Sequence, residues 1–449
     1  MNTNQINPRY AAFLALHKIE YENSYVNIEL KETLLKNRFS PADKRLISNI
    51  IYGCVRYKIR LDYVISLFSS VKIKKISDKV LLILRMGIYQ MMFLERIPAS
   101  AAVNESVKIC AKVAYKSKAF VNALLRKASN EIGNITYPKE DFLSIYYSYP
   151  KELTDFFAAE FKENCENVLK ALNCESKISI RANLNKTTVN DLKNLLEMRG
   201  IKSEDAPLSN ALFISGADIT NLDLYKDGYF TVQGLSSMLA VDAMKIKKGM
   251  CVFDMCAAPG GKSAYIAEKT GTGGEVFSFD IHEHKVRLIN KNAQRMGLSN
   301  IKAFLKNSAE YDGNLLNRAD AVLADVPCAG LGIISKKPDI KYSYSKEGQK
   351  ELAKLQLEIL KNCSKYVKKG GTLVYSTCSM GSTENINNIK EFLKNSDFEC
   401  ESISDCLPDD LKSETSGKGY INILPHNGFD GFFICRMVKK IGRTIGENL

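Results

Sequence analysis

The sequence predicts a multidomain chain: an all-α bundle over residues 1–135, a small α+β linker domain over 136–240, and an α/β domain on a parallel sheet over 241–441. Three observations carry this reading. Length and composition come first: 449 residues, 45% hydrophobic and 25% charged, are globular values that suit roughly two to four domains with their own cores. Apolar residues then recur at helical spacing through the first 130 residues. From Met250 onward, short apolar runs alternate instead with Gly-rich turns and helical stretches. No window approaches the roughly 18 consecutive apolar residues of a spanning helix, which excludes a membrane bundle. The first thirty residues lack an uncharged apolar core followed by a small-residue cleavage site, so a cytoplasmic protein is expected.

In the first domain the helical faces run through Ala12, Phe13, Leu16 and Ile19, then Leu46, Ile50, Ile51 and Val55, then Leu61, Val64 and Ile65, and then Leu81, Leu84, Ile88 and Met92. Few glycines interrupt them, as a compact bundle requires. Charge is uneven. Residues 1–130 hold 22 Lys or Arg against 9 Asp or Glu, and the remainder 41 against 41, so the whole excess of +13 lies here. Such an excess attracts a polyanion such as nucleic acid regardless of its sequence. It is carried by Arg56, Lys58 and Arg60, by Lys72, Lys74 and Lys75, and by Lys112, Lys116, Lys118, Arg126 and Lys127. A merely solvated face is the competing reading. An acidic membrane surface is disfavoured, because no single amphipathic segment concentrates the lysines.

In the second domain Ile178, Ile180 and Ala182 alternate as in a strand. Thr188 to Arg199 read as a helix opened by a Thr-Val-Asn-Asp cap, and Leu212–Ser215 and Tyr229–Gln233 as further strands. Twelve cysteines are scattered through the chain without a C-x-x-C pair, beside four histidines. Reduced thiols are therefore expected, with neither a disulfide framework nor a metal site.

The third domain carries the chemistry. Cys251–Met255 reads as its first strand and runs into Cys256, Ala257, Ala258, Pro259, Gly260, Gly261 and Lys262, after which Ser263–Lys269 is helical. Glycines there let the backbone approach a ligand closely, and the helix points free amides at the same place. The second strand, Glu275–Asp280, ends in an acid placed to accept both hydroxyls of a ribose. Together these features indicate a nucleoside-type cofactor, with S-adenosylmethionine and a dinucleotide both allowed. Two more apolar strands end in Asp325-Val326-Pro327-Cys328 and in Ser376-Thr377-Cys378-Ser379. Both cysteines thus fall beyond the carboxyl ends of strands, where open α/β sheets bind ligands. Two inert buried thiols would leave that shared position unexplained.

A thiol pair at that edge suits one reaction in particular. Carbon 5 of a pyrimidine is a poor nucleophile until a thiolate adds at carbon 6, and a cysteine both adds and leaves readily. An acid near ring N3, for which Asp325 is placed, would stabilise the charge that develops. A second thiol or nearby base is then needed as the adduct loses its C5 proton. On these grounds alone the roles of Cys328 and Cys378 remain open.

Three segments of the first domain, Asn7–Ala12, Leu84–Gln90 and Phe120–Lys127, resemble the NusB-type domain, an RNA-binding helical fold. The motifs Asp254–Lys262, Asp325–Cys328, Lys337–Lys341, Tyr375–Ser379, Glu384-Asn385 and Asp430–Phe433 resemble the RNA cytosine-5 methyltransferase family. With the helical domain, the resemblance extends over essentially the whole chain, to the bacterial B type that acts on 16S ribosomal RNA. It implies a Rossmann-like class I methyltransferase domain that uses S-adenosylmethionine, a 16S ribosomal RNA substrate, no membrane, and a monomer. It further implies Cys378 as nucleophile and Cys328 as the residue that assists release, and it gives residues 256–262, Asp280 and Asp325 to the cofactor.

The chain departs from that family at three places. Ser308 stands where an acid usually holds the adenine amine, Gln233-Gly234 replaces Gln-Asp, and Asp325-Val326-Pro327-Cys328-Ala329 replaces Asp-Ala-Pro-Cys-Ser. Two other functions compete. An RNA-binding factor with a relic transferase half would not need both cysteines, Asp280 and the glycine loop. A nitrogen methyltransferase would carry Asn-Pro-Pro-Tyr or Asp-Pro-Pro-Tyr where Asp325–Cys328 stands.

Overall fold

A computed structural model of the chain describes residues 6–22, 24–215 and 219–441. They form two compact units, one of residues up to Asn173 together with Ile334–Tyr344, the other of Cys174–Ile333 and Ser345 onward. No helix among the described residues is long and apolar enough to cross a membrane.

The first unit is helical: α1 (Pro8–Tyr21), α2 (Val26–Lys36), α3 (Pro41–Arg56), α4 (Lys58–Phe68), α5 (Asp78–Phe93), α6 (Ala99–Val113), α7 (Lys118–Glu131), α8 (Phe142–Tyr147), α9 (Lys151–Phe161) and α10 (Cys165–Asn173). Local chemistry sets the starts of these helices. Asn7 caps α1 by accepting the amides of Arg9 and Tyr10 at 2.9 and 3.2 Å, with Pro8 in the first turn where no amide is needed. Ser40 and Asp43 form a reciprocal capping box on α3. The core takes Phe13, Leu16, Ile50, Ile51, Leu61, Val64, Leu84 and Ile88, all of them on the predicted faces. Gly87 explains how α5 meets α7. A Cβ there would lie 2.9 Å from both Leu125 methyl carbons, so any larger residue would force that side chain to shift. Two of the segments that resembled the NusB-type domain therefore touch at this point.

The basic clusters divide by environment. Arg56 is buried and donates to the Ser335 carbonyl at 2.8 Å, Lys58 pairs with Glu20, and Arg60 lies 4.1 Å over the Tyr146 ring and donates to the Tyr137 hydroxyl. These three hold the unit together. Lys72, Lys74, Lys75, Lys112, Lys116, Lys118, Arg126 and Lys127 lie at least partly in solvent, and with them Tyr115, 73% exposed. The Lys337–Lys341 motif also belongs to this unit. Lys341 is 0% exposed and donates to the Arg56 and Ser148 carbonyls and to Asn173 Oδ1, at 3.1, 3.2 and 2.7 Å. Burial, and after it the nearby Arg56, depress its pKa well below the ordinary lysine range.

The second unit opens with an antiparallel sheet of β1 (Ile178–Ala182), β2 (Lys202–Asp205), β3 (Ala211–Ser215) and β4 (Phe230–Val232) in the order β2-β3-β1-β4, crossed by α11 (Val189–Glu197). After α12 (Leu235–Asp242) comes the large sheet: β5 (Cys251–Asp254), β6 (Glu275–Asp280), β7 (Ile301–Leu305), β8 (Ala319–Asp325), β9 (Val367–Thr377), β10 (Phe398–Cys400), β11 (Tyr420–Ile423) and β12 (Phe432–Lys439). Helices α13 (Gly261–Thr270), α14 (Glu283–Met296), α15 (Lys346–Tyr366) and α16 (Ile386–Leu393) accompany it. The order is β10-β12-β9-β8-β5-β6-β7, parallel from β9 to β7 and antiparallel where β12 joins, with β11 on β12.

The small sheet is tied to the large one through a buried cation. Arg181, 0% exposed, pairs with Glu268 on α13, stacks 4.4 Å from the Tyr265 ring, and donates to Gln233 Oε1 at 2.8 Å.

Candidate active site

Strand order in the large sheet reverses between β5 and β8, which opens a crevice beyond their carboxyl ends, the place where such sheets take ligands. Most of the predicted residues converge there. Beyond β5, the Ala257 amide donates to the Phe279 carbonyl and the Gly260 amide to the Ala257 carbonyl, both at 2.8 Å, which fixes the loop into α13. Gly260 has φ +97°, and a Cβ on it would stand 3.2 Å from Ile289 Cα. Glycine is therefore required by conformation and by space at once. Cys256 contributes backbone to this loop, and burial pushes its thiol well above the ordinary range, as suits a packing residue.

A cavity of about 180 Å³ lies against the loop, lined by Gln233, Gly234, Ala257, Ala258, Lys262 and Asp325 among others. Lys262 Nζ and Asp325 Oδ2 are 2.7 Å apart, and Ser376 Oγ donates to Asp325 Oδ1, also at 2.7 Å. Burial alone would lower the Lys262 pKa; Asp325 more than offsets it, so the ammonium is held charged. At the end of β5, Asp254 is fully buried and accepts from Ser263 Oγ at 2.7 Å. Burial raises its pKa to about 7.

Asp280 ends β6 with a carboxylate that accepts the Ala258 amide at 3.3 Å and the His282 amide at 3.1 Å. It therefore sits beside the loop. Each of its oxygens accepts one backbone amide and keeps a further lone pair. Ser308 is buried, with its hydroxyl donating to the Met255 carbonyl and its own carbonyl accepting from Asn362 at 2.9 Å. Its hydroxyl oxygen can thus serve a further group only as an acceptor.

Beyond β8 and β9 the two cysteines meet, with Cys328 Sγ 3.0 Å from Cys378 Sγ and both residues partly exposed. The hydrogen bond with Cys378, followed by burial, raises the Cys328 pKa well above the usual thiol range. Cys328 is therefore held as a thiol in a contact in which either sulfur can donate. The Asp430–Phe433 motif buttresses this pair. The Gly431 amide donates to the Gly332 carbonyl at 3.0 Å and the Gly332 amide to the Cys378 carbonyl at 2.9 Å, with the two glycines too close for any Cβ.

Sequence reasoning did not anticipate the Lys262–Asp325 pairing, the Ser376 hydrogen bond, or the part taken by Glu384 in this region. Lys262 and Glu384 stand out in the sequence only as members of motifs. The Asp325–Ser376 pairing is implicit in adjacent parallel strands that both end near chemistry-bearing residues.

The family model for the 16S rRNA methyltransferase RsmB/F matches residues 241–438, and that of the NusB family residues 6–130. A Bacillus subtilis protein named "probable ribosomal RNA small subunit methyltransferase B" is 37% identical over 96% of this chain and 98% of its own. The "ribosomal RNA small subunit methyltransferase B" of Photorhabdus laumondii is 31% identical over 90% and 93%. Among solved structures, a methyltransferase homolog protein from Pyrococcus horikoshii is 26% identical with a TM-score of 0.59, covering 68% of this chain and 100% of that one.

Proposed function

Because the chain belongs to the 16S rRNA methyltransferase RsmB/F family, we propose that it methylates carbon 5 of a cytosine in small-subunit ribosomal RNA, with S-adenosylmethionine as donor and Cys378 as covalent nucleophile. The observation that carries this reading is the pair of sulfurs 3.0 Å apart, just beyond the two strand ends that also hold Asp325 and Ser376. A methyltransferase acting on oxygen or nitrogen has no use for two juxtaposed thiols.

When bound, S-adenosylmethionine supplies an electrophilic methyl group. The residues present fit it: the loop from Cys256 to Lys262 offers backbone and the amides of a helix start, Asp280 keeps carboxylate lone pairs for a ribose, and Ser308 offers an acceptor for an adenine amine. Asp325 lines the cavity beside that loop, which supports giving it the meeting point of donor and base.

The chain's own groups then act in sequence. Cys378 gives up its proton to solvent and its sulfur bonds to carbon 6 of the cytosine, and the displaced π electrons reach carbon 5 and the N3 side of the ring. The Lys262–Asp325 pair meets the charge at N3, with the ammonium held protonated by its partner. Carbon 5 takes the methyl group and must then lose its proton as the Cys378–carbon bond breaks. Once Cys378 is a thioether, its sulfur is a poor acceptor for the Cys328 proton, and the main cause of the raised Cys328 pKa is gone. Cys328 then passes its own proton to solvent and, as thiolate, takes the C5 proton while Cys378 leaves as thiolate.

The solvent-facing lysines of α6 and α7, with Tyr115, supply backbone attraction and a stacking face for RNA, and a looped-out base enters the crevice. Cys378→Ala should abolish methyl transfer to 16S RNA, read by bisulfite sequencing, while calorimetry still shows S-adenosylmethionine binding. Full methylation by that variant would refute the assignment.

A further inference from the structure

Glu384 lies just before α16, 0% exposed, and four neutral donors reach its carboxylate. Oε1 accepts the Ala329 amide at 2.8 Å and Gln356 Nε2 at 2.9 Å; Oε2 accepts Ser379 Oγ at 2.7 Å and Gln349 Nε2 at 3.2 Å. Ala329 directly follows Cys328, and Ser379 directly follows Cys378. The neighbouring side chains reach the other flank of each cysteine. Gln356 Nε2 also donates to the Pro327 carbonyl at 2.9 Å, while Asn385 accepts Thr377 Oγ1 at 2.6 Å and donates to the Ser379 carbonyl at 3.0 Å.

From this arrangement we propose that Glu384 is the positioning residue of the two-thiol centre: one buried carboxylate holds the peptide that follows Cys328 and the hydroxyl of the residue that follows Cys378, and so fixes the distance at which the two sulfurs face a single base. The proposal rests on the reading of Cys328 and Cys378 given above.

Physical chemistry favours a carboxylate in this place. It accepts at both oxygens and donates nothing, so it can join two loops that each offer a donor. A buried charge without a cation is costly, and a full set of hydrogen bonds is what makes it tolerable. The anion also acts on the thiols, since Glu384 contributes to the raised Cys328 pKa.

Two variants of the full chain separate clamp from charge. In Glu384→Gln the amide oxygen still accepts Ala329, whose backbone amide has no alternative role. The amide nitrogen faces Ser379, whose hydroxyl can turn and accept, and Gln349, whose side-chain amide can flip to present its oxygen. That variant keeps the geometry and loses the charge, whereas Glu384→Ala loses both. The alkylation rate of Cys328 by iodoacetamide, followed against pH by peptide mass spectrometry, reports its ionisation without reference to RNA. In Glu384→Gln this profile should move toward lower pH by about half a unit or more, since a like charge has been removed. Methylation by Glu384→Gln should stay within about threefold of wild type, while Glu384→Ala should lose roughly 100-fold in single-turnover rate as the sulfurs fall out of register, with S-adenosylmethionine affinity unchanged.

An undiminished single-turnover rate in Glu384→Ala overturns the proposal. Should Glu384→Ala fail to fold, Ser379→Ala, which removes one arm of the clamp, decides by the same rate. If the wild-type protein makes no 5-methylcytosine, the functional reading fails instead, and the rate at which diamide joins Cys328 to Cys378, slower in Glu384→Ala than in wild type, still reports on the spacing of the sulfurs.

Discussion

Asp254 ends β5 with a carboxyl that is 0% exposed; one oxygen accepts Ser263 and the other has no partner among the described residues. Burial moves its pKa from 3.8 to about 7. In the unfolded chain the proton leaves near 3.8, whereas the folded protein keeps it until about 7, so across that window folding binds a proton and stability falls as pH rises. Below 3.8 both states are protonated and the cost vanishes; above about 7 it is complete. At about 1.36 kcal/mol per pH decade, the full cost is roughly 4 kcal/mol. Asp254→Asn retains an acceptor for Ser263 and removes the ionisation. Urea unfolding of the full chain should therefore show the variant more stable by up to roughly 4 kcal/mol at about pH 8, with most of that difference gone by about pH 4.5. A variant less stable than wild type at the higher pH, or a difference that does not change with pH, would refute the reasoning.

Two more perturbations bear on ligand binding. Gly260→Ala must adopt a left-handed φ and push against Ile289 Cα, which costs about 1–3 kcal/mol at the cofactor loop; calorimetry should show S-adenosylmethionine affinity reduced by about tenfold or more, and unchanged affinity would contradict the role of that loop. Replacing Lys116, Lys118, Arg126 and Lys127 together by glutamine should flatten the dependence of RNA affinity on salt, by about 0.7 in logarithmic slope for each phosphate of single-stranded RNA that is no longer neutralised. An unchanged slope would place the RNA elsewhere.

Local signals made much of the fold readable from sequence. The strands at Cys251–Asp254, Glu275–Asp280 and Ala319–Asp325 lie where apolar runs end in acids, and the Thr188 cap of α11, the glycine loop and both cysteines are short-range features. What remained hidden depends on distant partners. Helices α8 to α10 occupy 142–173, within the stretch read as the start of the α+β domain, and belong to the helical unit. The Arg56, Lys58 and Arg60 cluster reads as an RNA-facing surface and instead pairs with Ser335, Glu20 and Tyr146, up to 279 residues away. The Lys337–Lys341 motif reads beside the catalytic segments, yet it belongs to the helical unit and Lys341 is buried there. Glu384 acquires its part only when chain segments 55 residues apart are brought to one carboxylate.

Cys328→Ala tests the central claim most directly. If Cys378 attacks carbon 6 and Cys328 assists release, this variant incubated with 16S RNA and S-adenosylmethionine should accumulate a covalent protein–RNA complex that survives a denaturing gel, with the RNA fragment mapped to the peptide holding Cys378. No complex, or a complex formed equally well when Cys378 is also replaced by alanine, would contradict the account.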